Sequence, residues 1–105
     1  MRLVLLSSLA LLCATGARAE DRRIKLINES RQIIVEFHAS NVSRKNYEED
    51  ILGKRMIRPG ESMVINIDDG SGYCKYDFLT VMRGGQKIEK RGIDVCKIET
   101  YRITD

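Results

Sequence analysis

The sequence predicts an all-β protein, a small antiparallel β-sandwich or barrel of six to seven strands with one disulfide. Short extended runs alternate with turn-forming residues about every ten positions, and helical periodicity is nearly absent. Two cysteines, Cys74 and Cys96, bracket a pair of extended runs joined at Gly84-Gly85. That pattern reads as a hairpin stapled near its open end.

The first residues read as an export address. Met1-Arg2 gives a positive start, and residues 3–14 are an apolar run broken by Ser7 and Ser8. Ala17-Arg18-Ala19 then places small residues at the −3 and −1 positions of a cleavage site. The run is too short to span a bilayer as a helix, which needs about twenty residues. Cleavage is expected after Ala19, leaving residues 20–105 as one β-domain with no transmembrane anchor. A lipid anchor on Cys13 is the alternative, and Leu11-Leu12 ahead of it argues against that reading.

Removing residues 1–19 takes away Arg2 and Arg18 and lowers the formal charge from +3 to +1. The mature chain therefore lacks the strongly basic character of a nucleic-acid-binding domain, and no nucleic-acid partner is expected. Cys13 leaves in the same step. The remaining even pair is expected to be oxidised in a small exported domain, periplasmic or secreted. A domain of this size has a thin stability margin, and closing a loop of about twenty residues contributes on the order of 3 kcal/mol.

Residues 24–28 alternate weakly as a first strand, ended by Asn28-Glu29-Ser30. Residues 32–39 form the clearer second strand, with Ile33, Val35 and Phe37 facing one way and Ile34, Glu36 and His38 the other. The short gap between them predicts a hairpin turn. Residues 40–58 are irregular, with the length of one helical turn at 47–52 and a brief strand at Met56-Ile57. Arg58-Pro59-Gly60-Glu61 predicts a type II turn, because Pro59 presets φ and Gly60 is free to take a positive one. Residues 62–67 follow as a strand with Met63, Ile65 and Ile67 on one face, and then an acidic turn, Asp68-Asp69-Gly70-Ser71-Gly72.

The stapled hairpin has two simple registers. Pairing Cys74 with Cys96 sets Arg83 against Lys87, two like charges. A two-residue Gly84-Gly85 loop instead sets Cys74 against Val95, and the disulfide then needs a bulge, for which Gly92 is the natural site. In a third arrangement Gly92 ends the strand and the bond ties two sheets; a bulged register is preferred. A last strand spans 97–104, with Tyr101 and Ile103 on one face.

Few residues suggest chemistry. His38 is the single histidine and has no evident nucleophile or acid beside it, so no enzyme is expected. Zinc needs more Cys and His ligands than remain. Asp68, Asp69 and Asp77 offer oxygen ligands of the kind calcium or a lanthanide takes, without matching an EF-hand loop. Glu48-Glu49-Asp50 reads as a solvated face. Lys54-Arg55 with Arg58, and Lys87 with Lys90-Arg91, read as charged edges or as a rim that docks on an acidic partner. Asn41-Val42-Ser43 fits the N-glycosylation pattern.

Several short stretches carry a family resemblance: Asn28-Glu29-Ser30, Asp50-Ile51-Leu52-Gly53, Pro59-Gly60-Glu61-Ser62, Cys74-Lys75-Tyr76-Asp77 and Gly92-Ile93-Asp94-Val95-Cys96. With them the chain resembles a group of small exported bacterial β-proteins of no established activity. The resemblance implies a secreted or periplasmic β-protein and carries over no catalytic residue. The expected function is a non-catalytic binding protein whose partner is another envelope or secreted protein. The alternatives are a hard-cation-binding protein using residues 68–77 and an inhibitor of a secreted enzyme.

Overall fold

The computed structural model describes residues 21–105, so the expected leader, Cys13 and the Ala19 cleavage site lie outside the described residues. Six strands form two three-stranded sheets: β1 (Arg23–Glu29), β2 (Ile34–Asn41), β3 (Ser62–Asn66), β4 (Lys75–Met82), β5 (Lys87–Asp94) and β6 (Thr100–Thr104). One sheet has the order β3-β1-β6 and the other β2-β4-β5. Among the described residues, no helix is long and apolar enough to cross a membrane.

Period-two alternation dictates the core. On β4, Tyr76, Phe78, Thr80 and Met82 turn inward, while β1 contributes Ile24 and Leu26 and β6 contributes Ile103. Both sheets thus bury one face against the other, as a sandwich requires. The seam is aromatic: Phe78 meets Phe37 edge-on at 5.0 Å and Tyr101, from the opposite sheet, at 5.1 Å. Such edge-to-face pairs align a positive ring edge with a negative ring face.

The first two strands do not form the predicted hairpin. β1 pairs antiparallel with β3 and parallel with β6, while β2 pairs with β4. The chain crosses between sheets at Asn28-Glu29-Ser30, where Asn28 is fully buried. Its Nδ2 donates to the carbonyls of Gln32 (2.7 Å) and Ile57 (2.9 Å), and its Oδ1 accepts from Ser30 N (2.9 Å) and Oγ (2.6 Å). These bonds satisfy a turn that no cross-strand ladder serves.

The predicted facing of β2 is also corrected. A bulge between Ile34 and Glu36 shifts the register, so Ile34 and Phe37 both face the core. Residues 47–52 make no helical turn. They lie along the outer edge of β2: Ile51 N donates to Phe37 O (2.8 Å), Phe37 N donates to Asp50 Oδ1 (2.8 Å), and Ile34 and Ile57 exchange backbone bonds at 2.9 and 3.0 Å. An edge that would otherwise present unpaired backbone groups is thereby covered.

The turn at Pro59-Gly60 forms as expected, with Gly60 at φ 87° and Glu61 N donating to Arg58 O at 2.9 Å. The β4–β5 loop is three residues, Arg83-Gly84-Gly85, closed by Met82 N donating to Gln86 O at 2.8 Å. Val81 then faces Lys87 and Phe78 faces Lys90, until a register shift brings Tyr76 opposite Ile93. The extra residue falls at Arg91-Gly92, opposite Asp77. Gly92 supplies the positive φ of 70°, and its N–H donates to Asp77 Oδ1 at 2.9 Å. The bulge falls at the expected Gly92, but the loop is one residue longer than the expected Gly84-Gly85 turn, so the bulge brings Val95 and not Cys96 opposite Cys74.

Candidate functional site

Cys74 and Cys96 are bonded, with Cα atoms 5.3 Å apart and a sequence separation of 22. They are not direct cross-strand partners. Val95 N donates to Cys74 O at 2.8 Å, so Cys96 lies one position beyond the ladder, in the turn that Asp94 holds through Cys96 N at 3.0 Å. Among the described residues, Cys74, Asp94 and Cys96 are the one group of three potential metal ligands whose ligand atoms converge, and its sulfurs are engaged with each other.

Asp68, Asp69 and Asp77 do not converge on a common point. Asp68 closes an Asx turn by accepting from Gly70 N at 3.0 Å. Asp77 accepts from Gly92 N and lies 3.5 Å from Arg91. Asp69 ties three segments together, accepting from Asn41 Nδ2 (2.9 Å), Tyr76 Oη (2.7 Å) and Ser71 N (2.9 Å). Burial alone would raise its carboxyl, but the donors Ser71, Asn41 and Tyr76 outweigh it and hold the group well below the usual carboxylate range. A cation here would compete with three donors already in place for the lone pairs of one carboxylate. Asn41 is 3% exposed, and its Oδ1 accepts from Ser43 N and Oγ. The glycosylation-like tripeptide is thus a turn whose asparagine is buried while Val42 and Ser43 are exposed, hydrogen-bonded like Asn28-Glu29-Ser30 at the end of β1.

The densest polar arrangement lies on the outer face of the β2-β4-β5 sheet, where residues 44–48 fold across it. His38 Nε2 lies 2.9 Å from Glu36 Oε1 and its Nδ1 lies 2.6 Å from Glu48 O. Tyr47 reaches over to β5, donating to Glu89 Oε2 at 2.8 Å, and Glu89 also accepts from Arg91 at 2.9 Å. Ser40 Oγ accepts from Glu48 N at 2.7 Å. Glu48 Oε2 is an ion-pair partner of Arg44 at 3.1 Å, without the angle of a hydrogen bond. A shallow cleft of about 20 Å³ between Arg44, Tyr47, Asp77 and Arg91 has room for little more than a water molecule. Burial and the hydrogen bond to Glu89 push the Tyr47 hydroxyl up to about 12, so it remains a donor at neutral pH.

His38 is flanked by two acceptors. A neutral ring donates to one of them, whereas the imidazolium donates to both. Burial opposes the charge, but the Glu36 carboxylate, the Glu48 carbonyl and the nearby Asp50 charge outweigh it and raise the pKa above 6.5. The raised folded-state value adds stability that is complete below pH 6.5 and lost as the pH climbs through that value. Thermal melts across the neutral range should therefore show stability falling with pH. Glu36→Gln, which removes the carboxylate and keeps its shape, should flatten that slope; an unchanged slope would show that His38 is not the titrating group.

The two basic stretches of the sequence are regrouped. Arg91 is drawn into ion pairs with Glu89 and Asp77. Lys87, beside the hairpin tip, instead joins Arg58 and Arg83 at the end of the sandwich opposite the disulfide. Sequence inspection missed Arg83 as part of this group because it stands alone in the chain. The link is tertiary: Arg83 N donates to Ile33 O at 2.8 Å and its Nη2 lies 3.5 Å from Met56 Sδ.

No family model matches the chain, and no curated protein matches it significantly. Among solved structures it is similar to the NMR structure of a protein from Eubacterium rectale. The identity is 19% and the TM-score 0.50, over 85% of this chain and 82% of the other. At that identity the likeness shows the β-fold alone.

Proposed function

We propose that this chain is an exported, periplasmic or secreted, non-catalytic protein that binds another envelope or secreted protein. The reading is supported by the use of its reactive-type side chains. His38, Asp69 and Asn41 are taken up in hydrogen bonds that hold loops to sheets and Asp77 in one that closes the β5 bulge, and the cleft beside Tyr47 is far below the roughly 300 Å³ of an ordinary small-molecule site. A rigid scaffold with a covalent staple and charged loops suits presentation of a surface, and rigidity lowers the entropic cost of association. The oxidised pair is compatible with an oxidising compartment.

The expected result is a stoichiometric partner captured from envelope extract by the oxidised protein and retained in the presence of chelator. Calcium and lanthanide ions are expected to leave the melting temperature unchanged, since ligands of the native state must stabilise it by mass action. A saturable rise, abolished by Asp68→Asn with Asp69→Asn, would replace this reading with hard-cation binding. A captured secreted enzyme that loses activity in the complex would make the protein an inhibitor.

A further inference from the structure

We propose that the loop end opposite the disulfide is a docking surface for an anionic phospholipid bilayer. The inference rests on the reading of the chain as an exported protein, and adds a surface to it. Five cations gather there from two separate loop regions: Lys54, Arg55 and Arg58 ahead of β3, and Arg83 and Lys87 at the β4–β5 tip. The Arg83–Met56 contact joins the regions directly, and Arg83 N on Ile33 O and Gln32 Nε2 donating to Gln86 Oε1 at 3.1 Å tie the tip to the start of β2, where Ile34 pairs with Ile57.

All five cations are exposed, and among the described residues none forms an ion pair. The carboxylates of this end offset the five cations only in part. Glu29 pairs with Arg102, Asp105 with Arg31, and Glu61 folds back to accept from Arg58 N at 2.9 Å. Even with the Glu61 carboxylate among them, a net positive charge collects at one end of a chain whose charges nearly balance as a whole, so the remainder of the expected mature domain is net negative.

The chemistry of this end favours a bilayer over a protein partner. Protein interfaces are anchored by buried aromatic or apolar side chains. The exposed large apolar residues Val42 and Tyr73 lie at the opposite end, and Val64 lies on the outer face of the other sheet. Long flexible cations without an apolar anchor suit a surface of many equivalent anionic headgroups, each charge adding to the attraction.

The test is sedimentation of the processed, oxidised protein, recovered from an exporting host with its N-terminus verified, with phosphatidylcholine vesicles with and without phosphatidylglycerol. Binding is expected only with the anionic lipid and should vanish in high salt, which screens such contacts. Arg58→Gln with Arg83→Gln should weaken it by about 25-fold, roughly fivefold per charge. Lys25→Gln with Lys97→Gln, away from this end, should leave it intact. Absent vesicle binding, or binding equally weakened by both pairs, would overturn the proposal. So would capture of an acidic protein through Arg58 and Arg83 without vesicle binding, which would make this end the protein-binding surface. Failure here leaves the envelope-partner reading standing, because that reading is judged by the pull-down.

Discussion

Asn28→Leu is expected to lower stability by about 3 kcal/mol, at about 1 kcal/mol for each net hydrogen bond lost and more for a donor left orphaned. For a domain of this size that is a fall in melting temperature of roughly 12–24 °C. Leucine keeps the branched shape but is bulkier, so overpacking at this buried site adds to the loss of the polar network. The Ile57 carbonyl keeps Ile34 N, and the Gln32 carbonyl keeps Ser30 Oγ. Ser30 N is the group left without its acceptor, in a residue 6% exposed. Asn28→Asp provides the sharper control. It preserves the acceptor for Ser30 but turns a second carboxylate oxygen toward two carbonyls, so the folded state must hold the acid protonated. A carboxyl raised in the folded state adds stability at low pH that is lost as the pH rises through its folded value. The Asp variant should therefore recover on acidification while the Leu variant does not. A Leu variant that melts within a few degrees of the parent would show that the crossover is held by packing alone.

This residue also marks where the sequence could and could not be read. Alternation on residues 62–67 and 97–104 identifies the core side chains of β3 and β6, because a strand's period is local. Whether successive strands pair is not local. Residues 24–28 and 32–39 look like two arms of a hairpin, but the turn between them is stabilised by Asn28 bonds that include Ile57, 29 residues on. The inward facing of Ile34 and Phe37 was hidden for a related reason, since the bulge between Ile34 and Glu36 is written in the pairing with β4. Gly92 was legible because two constraints met on it, the cysteine spacing and the need for a positive φ. For the candidate site, the acidic turn advertised its carboxylates but not their donors. Asn41 lies 28 residues from Asp69, and nothing at either position points to the other. The basic end was half legible, as 54–58, and needed the fold to add Arg83.

Replacing both cysteines, Cys74→Ser with Cys96→Ser, is expected to cost about 3 kcal/mol, the chain-entropy value for a loop of roughly twenty residues. The melting temperature should fall by roughly 12–24 °C. The position of the bond predicts more than the size of the effect. Because Cys96 lies beyond the last ladder position, the disulfide does not hold two paired residues in register; Val95 N on Cys74 O already does that. It ties the start of β4 to the turn that leads into β6, and so joins the β4–β5 hairpin to a strand of the other sheet. The unfolded chain loses freedom while the native ladder gains little. The urea dependence should then steepen in the double variant, because an unfolded chain without the cross-link exposes more surface. Amide exchange at Tyr76 and Val95 should rise only with global unfolding. The contrary pattern, an unchanged urea slope with selective exchange at Val95 and the 95–98 turn, would place the contribution of the bond in the native state. In that case the staple would act as a local clamp on the acidic end of the sandwich, and Asp69, joined to Tyr76 on the same strand as Cys74, should lose its hydrogen bonds together with it.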